Sequence, residues 1–256
     1  MFRWLVNTLV ASMIFFPTRE YIAQPEDYDL AYEDAWPRTE DNVRIHGWFF
    51  GADGASLCLI FFHGNATNIS GVLPYAKEWV RRWISVLLLD YRGYGQGEGS
   101  IKAGTDIFWD AEAGVEWLRI EKGFAPSQII LYGQSIGAAP AIELAAREKF
   151  RAAVLEAPFT SIEDLGRTHY GFAPVFLLKD FSYENEPKMS QIKSPLFILH
   201  GTEDEVCPFW MGKRLFELAP EPKEFLEIQG ARHNDLLFVA GSDAFDRPFQ
   251  FVSKER

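Results

Sequence analysis

Cysteine is scarce in this chain. The two cysteines, Cys58 inside an apolar run and Cys207 far along the sequence, have no metal-ligand spacing and build no disulfide scaffold, so both read as buried free thiols. Basic residues are few beside acidic ones, 25 against 36, and they are scattered rather than clustered. A formal charge of −11 and a pI near 5.0 leave out the electrostatic footprint of a nucleic-acid binder. Long apolar runs are missing as well. The nearest to the roughly 20 residues a membrane-spanning helix needs is Leu5–Phe16, and Asn7, Thr8 and Ser12 interrupt it. Repeats, low-complexity tracts and linkers are absent beyond Pro17, which excludes arrays and internal domain boundaries.

What is present, 48% hydrophobic and 24% charged residues, suits one large compact domain, placed at residues 17–256. Ahead of it, Leu5, Val6, Leu9, Val10, Met13 and Ile14 share one helical face while Asn7, Thr8 and Ser12 share the other. Residues 1–16 therefore read as an amphipathic helix. Docking on the protein body is the first expectation for it and peripheral contact with a membrane surface the second. Secretion is the third, because no small-residue cleavage site follows the apolar run. The expected compartment is the cytoplasm.

Short β runs at Tyr28–Trp36 and Val43–Phe50 come first and imply an antiparallel start. Continuous apolar runs follow at Leu57–Phe62, Val86–Leu89, Ile129–Tyr132, Ala152–Leu155, Leu196–Leu199 and Phe225–Ile228. Their lack of alternation marks strands covered on both faces. Helical patterns at Val72–Arg82, Thr105–Glu121, Ile136–Glu148, Phe209–Leu218 and Ala244–Val252 separate or follow them. This order implies right-handed βαβ units on a largely parallel sheet, an α/β fold whose reactive residues belong at the carboxyl ends of the strands.

Gly133-Gln134-Ser135-Ile136-Gly137 lies directly after the run Ile129–Tyr132 and directly before the small-residue helix Ala138–Ala146. In that strand–turn–helix setting the two glycines remove side chains that would collide in a sharp turn, and the Ser135 hydroxyl is left exposed above the sheet. The alternative is an ordinary loop in which Ser135 only caps the helix. A serine hydroxyl needs a base, most often histidine, and the chain has five. His63 and His200 end β runs before glycine and suit structural hydrogen bonding; His46 lies within an early strand run; His169 falls in a long connection with no fixed position. His233 follows the last strand run, so its loop reaches the catalytic edge. For the acid, Asp204 in His200-Gly201-Thr202-Glu203-Asp204-Glu205 lies one strand earlier, where a carboxylate accepts the imidazole Nδ1–H. Its neighbours Glu203 and Glu205 read as solvated charges, and Glu156, at the end of Ala152–Leu155, is the rival acid. Asp90 and Asp110 read as structural anchors. For a developing oxyanion, the expected donors are the backbone N–H groups of Ile136, beside the nucleophile, and of Asn65, in Phe62-His63-Gly64-Asn65-Ala66.

These segments, with Asp90-Tyr91-Arg92-Gly93-Tyr94-Gly95 and Ala157-Pro158-Phe159-Thr160-Ser161, resemble in kind and order the α/β-hydrolase family. Within it they resemble the small esterase-like members typified by the bud-emergence group of eukaryotes and their bacterial relatives. The resemblance covers nearly all of the chain from Pro17 on. It implies a mostly parallel eight-stranded sheet with antiparallel first strands, flanked by helices, and a short cap at about residues 160–193. Where relatives commonly have a proline-rich acid loop, this chain has Val206-Cys207-Pro208, which places Cys207 near the site. Tyr170, Phe172, Phe176, Leu177, Leu178, Phe181 and Tyr183 in the cap, with Phe159, either cover the apolar chain of a substrate or complete the core.

The function implied is a serine hydrolase of the carboxylesterase kind, cleaving a small acyl ester through an acyl-enzyme on Ser135, with no requirement for a metal or organic cofactor. An acyl thioesterase or a peptidase on the same triad is the alternative within enzymes. A non-catalytic binding member of the fold is expected to have lost nucleophile, base, acid or oxyanion motif, and all are present. A membrane-associated adaptor built around residues 1–16 is the remaining rival.

Overall fold

The computed structural model describes residues 10–171 and 175–254, and only the backbone of 175–177. All the expected strands form, as β1 (Glu33–Ala35), β2 (Gly47–Phe50), β3 (Cys58–Phe62), β4 (Ser85–Leu89), β5 (Ile129–Gln134), β6 (Ala152–Glu156), β7 (Leu196–Gly201) and β8 (Lys223–Ile228). They make one eight-stranded sheet in the order β1-β2-β4-β3-β5-β6-β7-β8. The β1–β2 and β2–β4 pairs are antiparallel and the remaining pairs parallel. Every residue of β3, β4 and β6 is buried, the physical reason these segments read as unbroken apolar runs. The first strand is shorter than its sequence run, because Pro25–Tyr28 forms a 3₁₀ turn that ends on Asp29 at φ 56°.

The described helices beyond the N-terminal segment are α1 (Leu73–Val80), α2 (Asp106–Glu121), α3 (Ala138–Arg147), α4 (Ile162–Tyr170), α5 (Glu186–Met189), α6 (Phe209–Leu218), α7 (Leu236–Ala240) and α8 (Asp243–Ser253). Alternate strand residues feed two cores. Ile60, Phe62, Leu87 and Leu89 pack with α2, α3 and α6, whereas Leu59, Phe61, Val86 and Leu88 pack with α1 and α8.

Residues 10–14 are helical and dock on the body of the protein, with Val10, Ala11 and Phe15 buried in the first core. Leu5, Val6 and Leu9 lie outside the described residues. Met13, expected on the apolar face, is exposed, since Ala11 and Phe15 supply the contact instead. Among the described residues no helix is long and apolar enough to cross a membrane. The connection 160–193 contains α4, a 3₁₀ turn at Val175–Phe181 and α5. Phe172 and the side chains of Phe176 and Leu177 fall outside the described residues.

Candidate active site

The carboxyl ends of β3, β5, β6 and β7 meet above the middle of the sheet. Parallel register puts Gly133 of β5 beside Phe62 of β3, and Gln134 beside Glu156 of β6. The chain then turns sharply: Ser135 has φ 52°, and Ser135–Gly137 form a 3₁₀ turn leading into α3. A non-glycine residue held at positive φ is strained, which is how the turn lifts the hydroxyl clear of the sheet. The flanking glycines are sterically required. A Cβ on Gly133 would lie 2.4 Å from the Gly137 carbonyl oxygen, and one on Gly137 would lie 2.1 Å from that of Phe62.

His233, in the loop between β8 and α7, has Nε2 3.0 Å from Ser135 Oγ and Nδ1 2.8 Å from Asp204 Oδ2. With a carboxylate at Nδ1, the proton sits there and Nε2 is left to accept the Ser135 hydroxyl. Asp204 turns inward while Glu203 and Glu205 point to solvent. Its second oxygen accepts the backbone N–H groups of Val206 (2.9 Å) and Cys207 (2.7 Å). Burial alone would raise the Asp204 carboxyl, but hydrogen bonds from His200 and His233 outweigh it and hold it down at about 2. The residues assigned as nucleophile, base and acid are thus one hydrogen-bonded chain.

The other histidines are tied elsewhere. His63 Nδ1 donates to the Gly64 carbonyl at 2.7 Å. His46 bridges Tyr21 and Asp34 just ahead of β2, not within it. His169, for which no fixed position was expected, has Nε2 2.8 Å from the Val206 carbonyl. His200 Nε2 donates to the Cys207 carbonyl at 2.7 Å and lies 3.4 Å from Asp204. His200 therefore braces the acid loop, a role that its position at a strand end suggested only in outline. Cys207 is free and buried, as is Cys58. Burial, then the Asp204 charge, pushes the Cys207 thiol well up, so it sits beside the triad as a neutral thiol.

Glu156 does not reach His233. Its oxygens accept the hydroxyls of Tyr75 (2.7 and 2.9 Å) and Tyr132 (2.6 Å) and the Gln134 amide (2.8 Å), which corrects its reading as a rival acid. Gln134 in turn accepts the Gly64 N–H at 3.3 Å, connecting β5 to the loop that carries Asn65. Asp90 and Asp110 are anchors: Asp90 accepts from Tyr21 and the Ile69 N–H, Asp110 from Arg92. Asn65 lies in a tight turn ahead of Ala66 at φ 56° and shares a cavity with Ser135, while Ile136 follows Ser135 at the head of the turn into α3. Both expected donor residues thus lie at the ends of neighbouring strands, Asn65 after β3 and Ile136 after β5.

That cavity measures about 600 Å³. Among the described residues its larger apolar walls are Phe16, Val72, Tyr75, Val206, Leu236 and Leu237, and none comes from the expected cap. Phe159, Phe181 and Tyr183 are instead buried in the first core, with Leu178 packed against it, and Tyr170 points to solvent. Of the two readings of those aromatics, completion of the core is the one the described residues follow. The missed walls Leu236 and Leu237 had a signal, an apolar run straight after His233; Phe16 and Tyr75 had none.

The family described as serine aminopeptidase, S33, matches residues 55–179. Human alpha/beta hydrolase domain-containing protein 17B is 35% identical over 243 residues, covering 92% of this chain and 79% of that protein. The chain belongs to the α/β-hydrolase family. An uncharacterised protein of Mycobacterium tuberculosis is 30% identical over 244 residues, covering 94% of this chain and 86% of that protein. Among solved structures, Pyrococcus furiosus esterase Pf2001 superimposes with a TM-score of 0.78 at 23% identity, covering 92% of this chain and 97% of the other. The α/β hydrolase GrgF from Penicillium gives 0.71 at 20% identity, covering 87% and 98%. In this chain Ser135, Asp204 and His233 follow in that sequence order, just after β5, β7 and β8.

Proposed function

We propose that this α/β-hydrolase is a carboxylesterase-like serine hydrolase. The observation that carries the reading is the unbroken chain Ser135–His233–Asp204, with the serine at φ 52° over the first turn of α3. His233 takes the Ser135 proton as Oγ attacks the acyl carbonyl, and Asp204 stabilises the imidazolium that forms. The N–H groups of Asn65 and Ile136 hold the tetrahedral oxyanion, and the helix dipole of α3 adds to the same end. His233 then protonates the departing alcohol, water enters along the same path, and the acyl-enzyme is hydrolysed.

An ester is favoured over an amino-terminal peptide by the cavity's charge. Among its described lining residues Glu156 is the one carboxylate, and three donors already occupy it, so no unpaired anion among them awaits an α-ammonium group. The test is hydrolysis of p-nitrophenyl esters of increasing acyl length, with matched thioesters and aminoacyl anilides, by the wild type and Ser135→Ala. Serine-dependent ester turnover is expected. A fully active Ser135→Ala protein, or turnover confined to anilides, would overturn the reading.

A further inference from the structure

Residues 10–16 precede the stretch 55–179 that the family model matches, and Phe16 among them lines the cavity that holds Ser135. Phe15 anchors them. Its ring is buried and packs on Phe181 and, edge-on, on Tyr183, each with centroids 6.3 Å apart. The Asn65 side chain then grips the backbone on both sides of Phe15: Oδ1 accepts the Phe16 N–H at 3.0 Å, and Nδ2 donates to the Ile14 carbonyl. The same Oδ1 accepts the Tyr94 hydroxyl at 3.1 Å and the Ala66 N–H at 2.9 Å. A carboxamide whose donor and acceptor both engage one segment fixes that segment's register. With Phe15 committed to the core, Phe16 is directed to the other side, where its ring lines the cavity and stays 54% exposed. An aromatic ring fixed in place but left in solvent is apolar area that a ligand can cover.

We propose that Phe16, held by Asn65, is a specificity-determining wall of the substrate cavity that contacts the apolar chain of the acyl group. The inference rests on ester hydrolysis at Ser135. It commits to the acyl side, and the comparison of a long with a short acyl chain on one leaving group is what decides it. Asn65 ties together the oxyanion donor, through its backbone, and the acyl wall, through its side chain. A remote N-terminal segment supplies what the central domain leaves open.

The experiment compares kcat/KM for p-nitrophenyl octanoate and acetate, taking their ratio so that any loss common to both cancels. The ratio is expected to fall on the order of tenfold in Phe16→Ala. It is expected to fall likewise in Asn65→Ala, where the backbone N–H remains but the grip on residues 14 and 16 is lost. A ratio that is unchanged or rises in Phe16→Ala overturns the proposal. Octanoate binding to Ser135→Ala protein, measured by calorimetry, reads the same wall without turnover. Adding Phe16→Ala is expected to weaken it on the order of tenfold. Equal affinity, or no binding by the parent, overturns the wall whatever the kinetics show. Weakened binding without any Ser135-dependent turnover overturns only the hydrolase reading.

Discussion

Asp204 is fixed on four sides, by the N–H groups of Val206 and Cys207 and by the imidazoles of His233 and His200. Because its carboxyl is held at about 2, below its ordinary 3.8, the folded state favours the ionised form. That stabilisation is fully present above about pH 4 and is lost as the pH falls toward 2. Asp204→Asn lacks it, so the stability gap between wild type and variant, read from urea midpoints, is expected to shrink between pH 4 and pH 2. A constant gap would mean that the charge is not what these groups hold. His200 is itself confined from behind: a Cβ on Gly212 would lie 2.2 Å from its Nδ1. Gly212→Ala should push His200 off the Cys207 carbonyl and loosen the acid loop. The expected result is a loss in kcat on the order of 10–100-fold with little change in KM, checked by steady-state kinetics.

The turn between β5 and α3 is the element on which the site depends, and its glycines are set by contact distances rather than by flexibility. Gly137→Ala drives a methyl group against the Phe62 carbonyl, a backbone atom of the neighbouring strand that cannot rotate away. Destabilisation of about 1–3 kcal/mol or more is expected by thermal or urea denaturation, together with loss of esterase turnover. Elements of this kind were legible in the sequence because their physics is local. Strands covered on both faces show as unbroken apolar runs, and a glycine pair around a serine after such a run marks the turn. The helix α4 was not legible: it is a short polar segment that makes its apolar contact through Ile162 and Leu165, too few positions to stand out as a run. The edge strand β8 was legible only from Phe225 on, since it opens on the charged Lys223 and Glu224, which stay partly solvated.

At the scale of the whole molecule, residues distant in sequence decide what local pattern does not. The juxtaposition of Ser135, His233 and Asp204 could be read from strand ends and chain order, but the walls Phe16 and Tyr75 could not, because they arrive by tertiary docking. The same holds for the ion pairs that join the layers. Arg92, 3% exposed after β4, reaches Asp110 on α2 through Nε at 2.8 Å and Asp41 ahead of β2 through both terminal nitrogens at 2.7 and 3.1 Å. Asp110 is fully buried, and burial pushes its carboxyl up, to about 6, against the pull of Arg92. A carboxyl raised above its ordinary value contributes most at low pH, and that contribution declines as the pH rises from about 4 through 6. Arg92→Met removes the guanidinium's pull toward the ionised form and leaves that of the residue-92 backbone N–H, so the decline must extend to higher pH. Arg92→Met keeps the apolar stem and is expected to lose about 3–5 kcal/mol at neutral pH, the range for a buried charge left without its partner. The gap to wild type should widen from pH 4 to pH 8 in urea denaturation. If it stays flat, the loss belongs to packing; if it widens, the buried pair binds β2, β4 and α2 into the frame that holds the Asn65 loop and the Ser135 turn in register.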